Sequence, residues 1–295
     1  MQSADFLSAV FFYLKVGENL NQNWIVENLN NAFSTWNGKL GELWGLVTSG
    51  PQTFKGGAVW SVMQTLHNGM VGVGYALVVL FFAISLCKNT MNFHELKRPE
   101  AAIHYFLRFV AAKTLVGYGM DIMLNVFSIC NGIVTDMADS MGGISEAMVS
   151  LPAEMQTAIE NVGFLASIPL WLVTILGSLF ITVLSFVMIL TVYGRFFRLY
   201  MYTALAPLPL AAFAGESTQS VGISFLKSYV GVCLEGAVIV LACVIYSAFV
   251  STPTVASGEA TTIVWSYLAE TVFNMLVLVG LIKGSDRIIH EMMGL

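Results

Sequence analysis

The sequence predicts an all-α, polytopic membrane protein, and three observations carry that reading. Of the 295 residues, 57% are hydrophobic and only 11% are charged, against roughly 25% charged in soluble domains. The mean hydropathy is +0.76. The apolar residues gather into runs of about 20, the length of a helix that crosses a hydrocarbon core. The charges fall mostly between those runs, so the formal net charge of -5 describes segregated regions rather than one acidic surface. No run of Lys and Arg offers a nucleic-acid-binding patch.

Residues 1–67 read as an amphipathic N-terminal region, interfacial or outside the cytoplasm. Trp24, Trp36, Trp44 and Trp60 are spread through it, as suits the headgroup layer, where an amphipathic ring has one apolar and one wet side. The start lacks the basic flank of a signal peptide, and no window here is long and apolar enough to span. A turn at 49–57, SGPQTFKGG, separates an early helical part from a transmembrane domain at 68–295.

Five spans are expected in that domain, at about 68–87, 101–134, 164–192, 225–250 and 263–281. The second carries Arg108, Lys113 and Asp121, the fourth Glu235 and the fifth Glu270. After the third, Arg195 and Arg198 precede an apolar segment at 200–214 that Pro207 and Pro209 interrupt. Proline removes a helix donor and clashes with the preceding turn. Irregular apolar backbone at membrane depth is tolerated only under cover of protein or beside a cavity.

The basic residues indicate the topology. None lies between Lys113 and Arg195 or between Lys227 and Lys283. The positive-inside rule then puts three regions in the cytoplasm: 88–98, 195–227 and 283–287. The N-terminal region falls outside and the C-terminus inside. Segment 200–214 must then enter and leave on the cytoplasmic side, as a re-entrant or interfacial piece bounded by Arg195, Arg198 and Lys227.

Ionisable groups inside spans are the candidate sites, because each costs about 2.5–3.5 kcal/mol on insertion scales and needs protein or water beside it. Lys113 and Asp121 are eight residues apart, about 12 Å along a helix and too far for a direct pair. Glu235 is expected to pair with Lys113 or Arg108 across the second and fourth spans. Asp121 and Glu270, in the outer half, become wall residues of a hydrated path if several copies surround a pore. Gly231 and Gly236 flank Glu235 and allow close helix approach. Cys87, Cys130, Cys233 and Cys243 show no CxxC spacing and read as packing residues. The four histidines form no metal-ligand pattern, and neither a nucleophile–base arrangement nor a Walker motif is present. No cofactor, metal or catalytic site is expected.

Four stretches in this order resemble one family: PQTFKGGAVWSVMQTLHNGMVGVG before the first span, NFHELKRPE, FLRFVAAKTLV, and YGRFFRLYMYTALAPLPLAAFAGE. They are similar to the VirB6/TrbL-like polytopic proteins of type IV secretion systems, especially the compact versions of Gram-positive conjugative elements. The most specific part is GRFFRLYMYTALAPLPLA at 194–211. The resemblance implies a non-enzymatic channel or scaffold subunit in the cytoplasmic membrane. It implies a homo-oligomeric ring, a pentamer by analogy, with phospholipid between subunits. Its partners would be a VirB4-type ATPase, other secretion subunits and, transiently, single-stranded DNA. Two other classes stay open on the residues alone. One is a secondary transporter, which usually shows paired interrupted helices where this chain has one Pro-broken segment. The other is a lipid-organising oligomer unrelated to conjugation.

Overall fold

A computed structural model describes the backbone of residues 2–90, 99–140, 148–162, 164–249 and 260–294, and the side chains of 24–88, 103–139, 148–162, 167–248 and 262–294. All of its elements are helical: α1 (Gln2–Thr48), α2 (Ala58–Thr90), α3 (Pro99–Gly117), α4 (Gly119–Ser140), α5 (Ala153–Glu160), α6 (Phe164–Leu205), α7 (Pro207–Ala211), α8 (Gln219–Phe249) and α9 (Ala260–Met293). Among the described residues, four stretches are long and apolar enough to cross a membrane: Phe54–Lys88, Ser167–Leu205, Gln219–Ala248 and Thr262–Met293.

Of the five expected spans, the second has no counterpart among these four helices. The expected second span, 101–134, is two helices that meet at Tyr118. Helical bonding carries through this residue, since the Tyr118 N–H reaches Thr114 O at 2.9 Å and the Ile122 N–H reaches Tyr118 O at 3.0 Å. Gly117 and Gly119 flank Tyr118, and their missing side chains admit neighbours. A Cβ on Gly119 would lie 3.2 Å from Leu210 Cδ1. The third span also differs. Nothing between Gly194 and Leu205 stops a helix, so α6 runs on through Arg195 and Arg198.

The chain divides into two compact units. The first combines Met1–Trp44, Gly142–Thr191 and Leu241–Lys283. Here α1 buries Ile25, Leu29, Phe33, Trp36, Leu40 and Leu43, the stripe a 3.6-residue period places on one face. Asn28 Nδ2 donates to Ser178 Oγ at 3.0 Å on α6, and Phe33 meets Tyr267 of α9 edge-on. Asn37 ties α1 to the segment before α5 by accepting from the Val149 N–H and donating to its carbonyl.

The second unit combines Gly45–Met141, Val192–Val240 and Gly284–Leu295. Its core holds the PQTFKGG turn. Phe54 stacks on Phe196 with ring centroids 4.3 Å apart, and Tyr200 OH donates to Pro51 O at 2.8 Å. Lys55, Gly56 and Gly57 all have positive φ, the conformation that two glycines adopt without steric cost.

The proline segment is helical. Ala206 keeps α dihedrals, and α7 and the tight turn after it pack on α2 and α3. Pro207 has no N–H to give the carbonyl four residues back. That carbonyl, Thr203 O, instead accepts from His67 Nδ1 at 2.7 Å, and the histidine is buried. His67→Phe should leave the carbonyl unpaired and cost about 1–3 kcal/mol, measurable as a lower Tm in detergent.

Contacts of this segment advance along α2 in one direction. Thr203 meets His67, Pro207 meets Gly74, Gly215 meets Phe81 and Glu216 meets Ser85. Within the unit it runs beside α2 and does not double back over 203–216.

Candidate functional site

Three helices of the second unit bring charged side chains together. Arg195 and Arg198 stand three residues apart on α6 and so project from neighbouring positions of one face. Glu235 comes from α8 and Asp286 from α9. Arg198 Nη2 reaches both carboxylate oxygens of Glu235, at 2.7 and 2.8 Å, and its Nη1 donates to Asp286. Ser285 Oγ donates to Glu235 Oε1 at 3.2 Å. The Glu235 side chain is 1% exposed and that of Arg198 29%. At the rim, His290 Nε2 stands 3.6 Å from Asp286.

Arg195 is wholly buried and solves a different problem. Its Nε donates to Val232 O at 3.3 Å and its Nη2 to Cys233 O at 3.2 Å, while Nη1 has no hydrogen-bond partner. The guanidinium can reach the α8 backbone because residue 236 is glycine. A Cβ there would lie 2.8 Å from both Nη1 and Nη2. Two guanidinium groups thus face two carboxylates, so the network is balanced in charge. Burying a charge is costly unless it is paired and hydrogen-bonded, and three helices must keep their register to satisfy this one.

The sequence-predicted residues separate accordingly. Glu235 is an ion-pair residue, but its partner is Arg198 and not Lys113 or Arg108. Arg108 Nη2 instead donates to Gln219 Oε1 at 3.1 Å. Lys113, Asp121, Lys227 and Glu270 are exposed and form none of the ion pairs found among the described residues. Pro207 is buried at the start of α7 and Pro209 half-buried inside it. Ser285 and Asp286 were not foreseen. The signal was a carboxylate close after an apolar run, in a helix that carries on past it.

The described basic residues of the three regions do not share one level. Arg195 and Arg198 lie with Phe54 near the start of α2, and so do Ser285–Ile289 of α9, beside Gly231 and Glu235. Lys88 closes the other end of α2. From Trp60, beside Tyr200, to Ser85, beside Glu216, the helix rises about 37 Å, more than the roughly 30 Å hydrocarbon core. The positive-inside rule assigns these regions one face from charge alone, which does not register how helices pass one another.

Long apolar helices joined by a buried, balanced ion network define a polytopic helical membrane protein, and among the described residues no group of His, Cys, Asp and Glu is placed to hold a metal. The chain belongs to the family described as TrbL/VirB6 plasmid conjugal transfer like protein, whose profile matches residues 36–207, more than half its length. It is therefore a component of conjugal transfer, or type IV secretion, machinery. No curated protein and no solved structure matches it.

Proposed function

We propose that the chain is a channel or scaffold subunit of a conjugative DNA-transfer apparatus, assembled as a homo-oligomeric ring in the cytoplasmic membrane. The observation that carries this reading is the family match over 36–207, which includes both arginines and the whole α2–α3–α4 group. The buried network supports a scaffold role, because it holds α6, α8 and α9 in register without any catalytic arrangement. Energy for transfer would come from partner ATPases of the VirB4 type, and single-stranded DNA would be a transient occupant. Phospholipid would fill the gaps between subunits.

Deletion of the gene should abolish conjugative transfer, and the wild-type chain supplied in trans should restore it. Transfer at the normal frequency without the chain would refute the role. Particles extracted in mild detergent should contain several copies of the chain, and a monodisperse monomer would argue for the transporter reading.

For orientation we propose that the N-terminal region and the Phe54 end of α2 are outside, and that its Lys88 end is cytoplasmic. A cytoplasmic C-terminus follows from Lys283 and Arg287 by charge alone, whereas the packing of Ser285–Ile289 beside Gly231 and Glu235 favours the Phe54 end. Reporter fusions after residues 90 and 293 decide between these placements.

A further inference from the structure

Helices α3 and α4 bury an apolar stripe and expose a mixed surface, in which Phe106, Leu107, Val110 and Ile129 accompany a line of polar residues. Ala112, Val116, Met123, Phe127, Cys130 and Val134 are buried against the rest of the unit. On the opposite side, Thr114, Tyr118, Asp121, Asn125 and Ser128 are exposed. They recur at alternating spacings of four and three residues, which keeps them on one helix face. Lys113 flanks this stripe and is exposed too.

Depth can be read from α2, which runs antiparallel alongside. Phe109 packs on Phe82 with ring centroids 4.8 Å apart. A Cβ on Gly74 would lie 2.9 Å from Val116 Cγ1, and one on Gly119 would lie 3.4 Å from His67 Cε1. Lys113, Thr114 and Tyr118 are thus level with the apolar run of α2, whereas Asp121, beyond Gly119, falls level with the polar stretch of α2 before His67. At that same level α2 exposes Val73, Val79 and Leu80, a surface fit for lipid.

A lysine at this depth requires an opposite charge or water. Asp121 does not satisfy it, being about 12 Å away along the axis. A neighbouring copy in a ring does not help, because rotation about an axis along the helices leaves each residue at its own level. Lys113 would still lie about 12 Å from the neighbour's Asp121.

We propose that the face bearing Lys113, Thr114 and Tyr118 borders a water-filled path at membrane depth. Lys113 is a fixed positive charge there and favours an anionic occupant. This deepens the channel reading and rests on α2 being a span.

The test uses the full-length chain in native membranes, with the exposed Cys87 replaced by serine. Thr114→Cys and Val79→Cys are labelled with membrane-impermeant methanethiosulfonates, one a trimethylammonium and one a sulfonate. Thr114→Cys should react faster than Val79→Cys by about seventyfold or more, the ratio to which the insertion cost of a charge at membrane depth converts. The sulfonate-to-ammonium rate ratio at Thr114→Cys should fall about threefold or more when Lys113→Gln is added, as loss of a nearby charge in water requires. Equal rates at the two positions, slow or fast, would remove the path. A ratio unmoved by Lys113→Gln would remove the anionic preference. Because transfer after gene deletion is scored separately, failure here leaves the proposed role in conjugation standing.

Discussion

Glu235→Gln is expected to destabilise the chain by about 3–5 kcal/mol, the usual cost of removing one partner from a buried ion pair. Glutamine retains the shape but not the charge, so Arg195 and Arg198 would face Asp286 as their one carboxylate. Arg198 would lose the charge assistance of its bonds at 2.7 and 2.8 Å, and one of the two acceptor oxygens would become an NH2 that cannot accept from the guanidinium. Thermal unfolding in detergent, with folded yield from membranes, reads the effect. Replacing both members of the pair by methionine should be milder than either single change, because one charge of each sign is removed and Arg195 keeps its bonds to Val232 O and Cys233 O. Strict additivity of the two single effects would show that the side chains do not interact. Asp286→Asn is a useful contrast. Its side chain is 43% exposed, and pairs near water contribute only about 0–1 kcal/mol.

The second large effect is expected at Gly236, where alanine should cost about 1–3 kcal/mol, the range for overpacking a tight interior. The new methyl would stand 2.8 Å from two guanidinium nitrogens, and Arg195, with no exposed surface, has no route out to solvent. Shifting the guanidinium also strains its bonds to Val232 O and Cys233 O. The clash is with the guanidinium fork, so Arg195→Lys in the same chain should relieve part of it. Tm values of the two single variants and the double variant give the coupling. A double variant at the sum of the singles would dissociate Gly236 from Arg195. Gly236→Ala with a wild-type Tm would show that α8 yields at no cost.

Several of these features were legible from local chemistry. Glu235 stood out because a carboxylate in an apolar run demands a partner, and Gly236 because small residues beside a buried charge permit close approach. The turn at 49–57 was legible from its proline and glycines, and the structure ends α1 and begins α2 on either side of it. The partner of Glu235 was not legible. Pairing it with Lys113 assumed that two helices start at the same level, whereas α6 continues past its expected end and carries Arg198 to Glu235 instead. Similarly, 200–214 looked broken because proline forfeits a hydrogen bond, and nothing local reveals that His67, 136 residues away, restores it.

Composition and the spacing of apolar runs by themselves determined that this is a helical membrane protein. Transfer of apolar surface and backbone into lipid depends on length and residue type, and both are local quantities. Motif order determined the family. Only the tertiary structure decided which charges meet, which proline-freed carbonyl finds a donor and which helix turns a polar face outward. Those outcomes depend on the relative register of helices far apart in the chain, and register is set by mutual packing rather than by any one segment.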